Sequence, residues 1–135
     1  MVPMDPAARV IHAGDVKDVG RAVAAAFGAG DTLRNGSYLA VCGGIYSWND
    51  FASTLNAQGH DVQVQQVAAD VYDTFFPGAP ELRETFQYFE QCTYFGPERE
   101  SRIAAANAVY PAGFISFSDW AKRNLAPAKK ELVTA

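Results

Sequence analysis

The chain has 135 residues, of which 49% are hydrophobic and 19% charged, with a formal net charge of −4. That size and balance fit one compact domain with a single core, and they exclude a disordered chain or a two-part architecture. No basic run exceeds the Lys129-Lys130 pair, so no face can neutralise phosphates and nucleic acid is not an expected partner.

No apolar run reaches the roughly 18 to 20 residues of a membrane span, and Met1-Val2-Pro3-Met4-Asp5 lacks the charged-then-apolar layout of a signal peptide. A soluble, cytoplasmic protein is expected. In chain order, Arg9 to Ala13 reads as a short strand feeding a helix capped by Asp15. Val16, Val19, Gly20, Val23 and Phe27 fall at the spacing of one helical face, and the helix stops at Gly28-Ala29-Gly30. Tyr38 to Cys42 is almost continuously apolar, the pattern of a strand covered on both faces. Its edges then need cover, and a second copy of the chain is the simplest source.

Ser47-Trp48-Asn49-Asp50 is a strong helix start, with Ser47 as cap and Asp50 reciprocating. Trp48, Phe51, Ala52 and Leu55 form its inner face, and Gly59 ends it. Asp61 to Gln65 alternates polar and apolar, as a half-exposed strand does. Asp70 to Phe76 reads as a short helix broken by Pro77 to Pro80, and Glu81 to Tyr94 as a longer one with Leu82, Phe86 and Phe89 on one face. Pro97 opens a helix to about Val109, Ser116 caps a last helix carrying Phe117, Trp120 and Ala121, and Pro127 stops it. Residues 1–127 form the domain, and 128–135 read as a mobile tail. Cys42 and Cys92 could bridge, but two buried free thiols are the expectation.

Three blocks of sequence carry a resemblance. They are Asp15-Val16-Lys17-Asp18-Val19-Gly20, then Ser47 to Asp50 with Leu55 to His60, then Thr74 to Ala79 with Phe86 to Glu90 and Thr93 to Pro97. In order and spacing they resemble fungal NmrA-like proteins, atypical short-chain dehydrogenases, over about Val10 to Leu125. The resemblance implies the C-terminal, substrate-binding part of that plan, with its glycine-rich NAD(P)-binding half outside the match. The implied fold is an α/β remnant, with two or three short strands and about five helices, dimerising through an exposed sheet edge.

The departures are as informative as the match. The sequence has no G-x-G-x-x-G, and Gly28-Ala29-Gly30 follows a helix rather than a strand, so no cofactor is expected. It also has no tyrosine followed four residues later by lysine. G-x-S-x-G, P-loop and H-E-x-x-H patterns are absent. His12 and His60 alone cannot build a zinc site, and no metal is expected.

What remains is an aromatic wall between residues 72 and 95, suited to a hydrophobic small molecule. Candidate catalytic residues are Tyr88 and Tyr94 as phenol donors, with His60 and Glu90 as proton carriers. Candidate substrate contacts are Trp48, Tyr72, Phe76, Phe89, Phe95 and His12. Packing competes with each role: Phe86 and Phe89 read first as core, Glu90 as a solvated helix face, and His60 as a turn residue. Two functions fit: a redox-independent cyclase or isomerase (a pericyclase, a Diels-Alderase among them) acting on a polyketide or terpenoid secondary metabolite, or a non-catalytic NmrA-like module binding a small molecule or a protein.

Overall fold

The computed structural model describes residues 1–30 and 33–126. Strand β1 (Ile11–Ala13) pairs antiparallel with β2 (Gly44–Tyr46), with Ile11 opposite Tyr46 and Ala13 opposite Gly44. The six helices are α1 (Val16–Gly28), α2 (Trp48–Ala57), α3 (Ala69–Tyr72), α4 (Ala79–Cys92), α5 (Arg99–Val109) and α6 (Phe117–Asn124). The fold is thus mixed α/β, with helices packed as α1 on α5, α2 on α6 and α3 on α4. Pro127 and the tail 128–135 lie outside the described residues.

Helix starts follow the capping residues in the sequence. The Asp15 carboxylate accepts the Lys17 N–H at 3.0 Å. Ser47 Oγ accepts the Asp50 N–H at 3.0 Å while Asp50 Oδ2 accepts the Ser47 N–H at 2.9 Å, a complete capping box. That backbone bond, with Arg9 at 3.1 Å, holds the Asp50 carboxyl below the usual range. Ser116 caps α6 through the Asp119 N–H at 3.1 Å. Gly78, at φ 93°, turns the chain into α4, which starts at Ala79 with Pro80 in the first turn, before the expected Glu81.

The core is built largely from alanines. Ala22, Ala52, Ala79, Ala106 and Ala121 are buried, and small side chains at such positions let helix backbones approach closely. Larger contributions come from Tyr72 and from the N-terminal segment, where Val2 and Met4 are buried.

Two expected strands do not form. Among the described residues Tyr38 to Cys42 has no neighbouring strand and so no ladder, although Ala40 and Cys42 turn inward. Asp61 to Gln65 keeps its alternating burial, but a side chain substitutes for a strand partner. Asn56 donates to the Val62 carbonyl at 3.0 Å and accepts the Val62 N–H at 2.8 Å. Beyond it a single parallel bridge joins Val2 to Gln66, with Val2 N–H on the Gln65 carbonyl at 2.9 Å. The short helix expected over Asp70 to Phe76 is reduced to Ala69–Tyr72, with turns following it.

Two further expectations are corrected. Both cysteines are free, but only Cys42 is buried; Cys92 is exposed at the end of α4. On α1 the apolar stripe faces outward, with Val16 81% and Phe27 86% exposed, while Asp18 and Ala22 face the core.

Candidate functional site

A cavity of about 250 Å³, open on one side, lies where the N-terminal ends of α1 and α6 converge. Ala13, Gly14 and Asp15 form one end and Ile115 and Ser116 the other, with Phe51, Phe117 and Trp120 as walls. The Phe51 and Phe117 rings meet edge to face at 4.6 Å, and Phe117 stacks on Trp120 at 6.1 Å. The backbone behind Phe117 is fixed, because its N–H donates to Tyr46 Oη at 2.9 Å. Such a space accepts one planar apolar ring system, being near the lower edge of the roughly 300–1,000 Å³ common for ligand sites.

None of the ten residues expected from the sequence lines this cavity. Trp48 stands one ring away, touching Phe51 at 5.9 Å and Phe86 of α4 at 5.7 Å. His12, Phe95, Tyr94, Phe89 and Tyr88 instead form a continuous series of ring contacts along α4 and the turn after it, from His12–Phe95 at 4.9 Å to Tyr88–Phe89 at 6.4 Å. Tyr88 and Tyr94 are exposed on that ridge. Tyr72 and Phe76 make a separate cluster with Phe75, in which Tyr72 is buried. Glu90 is exposed and its Oε1 accepts the Asp5 N–H at 3.0 Å, so it anchors the N-terminal segment on α4. His60 closes α2 through its own N–H on the Leu55 carbonyl at 3.1 Å.

Thr93 sets the direction of the ridge. It is a buried β-branched residue at φ 58°, a costly backbone conformation, and its hydroxyl donates to the Gly96 carbonyl at 3.3 Å. The turn it makes brings Phe95 onto His12. Burial pushes the His12 imidazole below its ordinary pKa of 6.5, with the Val10 backbone opposing this shift and Arg99 adding to it. A histidine with a lowered folded pKa takes up protons more readily unfolded, so its contribution destabilises the fold as pH drops below about 6.5. Urea midpoints compared at neutral and mildly acidic pH are expected to fall more for the native chain than for His12→Phe. Equal acid sensitivity of the two would show that His12 plays no part in it.

Sequence reading missed the residues that build the cavity. Asp18 is fully buried and its Oδ2 accepts the Ile115 N–H at 2.7 Å, fixing α1 to the segment ahead of α6. Gly43 crosses that segment so closely that an added Cβ would lie 2.0 Å from the Ile115 carbonyl oxygen. The signals available were the Asp15 and Ser116 caps, which locate two helix starts without showing that they meet.

A dinucleotide pyrophosphate needs free amides at a helix N-terminus. At α1 the Asp15 carboxylate takes the Lys17 N–H, and at α2 Ser47 Oγ takes the Asp50 N–H, so at each start a side chain competes for a first-turn amide. Among the described residues no group of three or more His, Cys, Asp or Glu could hold a metal ion, and no helix is long and apolar enough to cross a membrane.

Fold and cavity together define a small mixed α/β domain built to surround an aromatic-walled space. The sequence model of the NmrA-like family matches residues 1–121, and the chain belongs to that family. No curated protein and no solved structure matches it.

Proposed function

We propose that this chain is a small-molecule-binding NmrA-like module that holds one planar, mainly apolar ring system between Phe51, Phe117 and Trp120. The observation that supports this most directly is the convergence of three rings from two helices on one cavity, whose lining also includes Asp15 and Ser116. Apolar walls supply the affinity, and the few polar groups orient the ligand. The candidate proton carriers His60 and Glu90 lie outside this lining. Binding is therefore favoured over catalysis.

Isothermal titration of the purified chain with 2-naphthol as probe tests this reading. Micromolar affinity is expected, weakened about tenfold by Trp120→Ala through loss of ring contact and unchanged by Phe76→Ala. Absence of measurable binding to the native chain, or equal binding by Trp120→Ala, would overturn it.

A second reading keeps the same cavity but makes it catalytic. Because the cavity is not enclosed, a longer polyketide or terpenoid intermediate seats one ring there while the rest of it folds outside. Cyclisation or isomerisation of this kind conserves all atoms and electrons and draws its acceleration from restricting the reacting ends. Incubation with such intermediates without nicotinamide, following the product ratio, separates the two readings. A ratio changed by the native chain but not by Trp120→Ala supports catalysis.

A further inference from the structure

The apolar stripe of α1 has no partner in the described chain. Val16 is 81%, Val19 and Val23 each 49%, and Phe27 86% exposed, and Tyr38 beside them is 88% exposed. Between α1 and residues 33–41 runs a groove of about 580 Å³, to which Val23, Phe27, Leu33, Leu39 and Val41 contribute. The backbone N–H groups of residues 38–42 donate no hydrogen bond to any described residue. Ala40 and Cys42 are buried while Leu39 and Val41 between and beside them are half-buried, the alternation of a strand that lacks its neighbour, and Tyr38 ahead of them is exposed.

We infer that this face is the interface between two copies of the chain, with Phe27 of each copy entering the α1 groove of the other. Three features of the face select a second copy as the occupant. The five exposed side chains alone present on the order of 650 Å², above the largest patch of many monomers and near the roughly 800 Å² per partner of a stable interface. The stripe Val16, Val19, Gly20, Val23, Phe27 carries no charge, so it can meet itself across a twofold axis, with Arg34 the charged side chain among the described groove residues. It also supplies both a projecting group and a receiving groove, the self-complementarity that an isologous contact requires. The unpaired amides of residues 38–42 then gain acceptors from the same segment of the second copy. This inference does not depend on the ligand cavity, whose lining shares no residue with the groove.

Sedimentation velocity of the full chain tests it. A dimer is expected at about 50 μM, with Phe27→Glu and Val23→Glu monomeric and Leu82→Glu, on an exposed site of α4, still dimeric. Far-UV circular dichroism of the two monomeric variants is expected to match the native chain, because Phe27 is mostly exposed and Val23 49% exposed. Hydrogen exchange at residues 38–42 is expected to be slow in the native chain and fast in Phe27→Glu. A native chain that sediments as a monomer, or dimers that survive both glutamate substitutions, would overturn the inference.

Discussion

Replacing Asp18 with alanine is expected to lower the stability of the fold by about 3 kcal/mol, because a buried charged acceptor and its bond to a backbone amide are lost together. Asp18 is fully enclosed, and its two oxygens take the Ile115 N–H and the Arg21 guanidinium. Alanine leaves the Ile115 amide without an acceptor, whereas Asp18→Asn retains one and should lose roughly half as much. Arg21→Ala supplies the contrast. Its side chain is 48% exposed, and a solvated partner of this kind contributes far less than the buried backbone bond. Urea midpoints for the three variants in that order test the ranking. A large loss from Arg21→Ala with little from Asp18→Ala would mean that the ion pair, not the backbone bond, is the anchor.

Gly43→Ala is expected to lose about 3 kcal/mol or more, because the clash is between two main chains and neither can rotate away. The new Cβ would sit 2.0 Å from the Ile115 carbonyl oxygen and 3.1 Å from its carbon. Gly28→Ala is the matched control. It ends α1, with nothing within 4 Å of its would-be Cβ, and should change stability by no more than roughly 1 kcal/mol. Thermal unfolding of both variants reads the difference, and comparable melting temperatures for the two would contradict the close approach. Asp18 and Gly43 act on opposite sides of the same residue. Ile115 lines the cavity, so ligand affinity is expected to fall with stability in both damaging variants.

Much of the local structure was legible because it depends on residues close in sequence. Asp15, Ser47 and Ser116 begin helices through bonds to amides two or three positions on, and a sequence shows those spacings directly. The NmrA-like resemblance was legible for the same reason, since blocks and their order are properties of the chain. The candidate site was legible only in its chemistry. An aromatic-walled space was expected, but its walls come from Phe51, Phe117 and Trp120, while the denser run from Tyr72 to Phe95 divides into an exposed ridge and a separate cluster. Aromatic density along a chain measures how many rings there are, not which elements face one another.

The orientation of α1 shows most clearly where sequence reading ends. Hydrophobic periodicity favoured Val16, Val19, Val23 and Phe27 as the inward side, yet Asp18 and Ala22 face the core. A buried carboxylate that satisfies the Ile115 amide, together with the packing of α1 on α5, fixes the helix more firmly than the apolar stripe can. The sequence by itself determined the helix starts, the family, and the aromatic, weakly charged character of the domain, because each rests on residue type and short spacing. The tertiary structure decided which face of α1 is buried, which rings enclose the cavity, and that Tyr38 to Cys42 stays unpaired. Those outcomes rest on contacts between residues such as Asp18 and Ile115, 97 positions apart, and no local pattern encodes them.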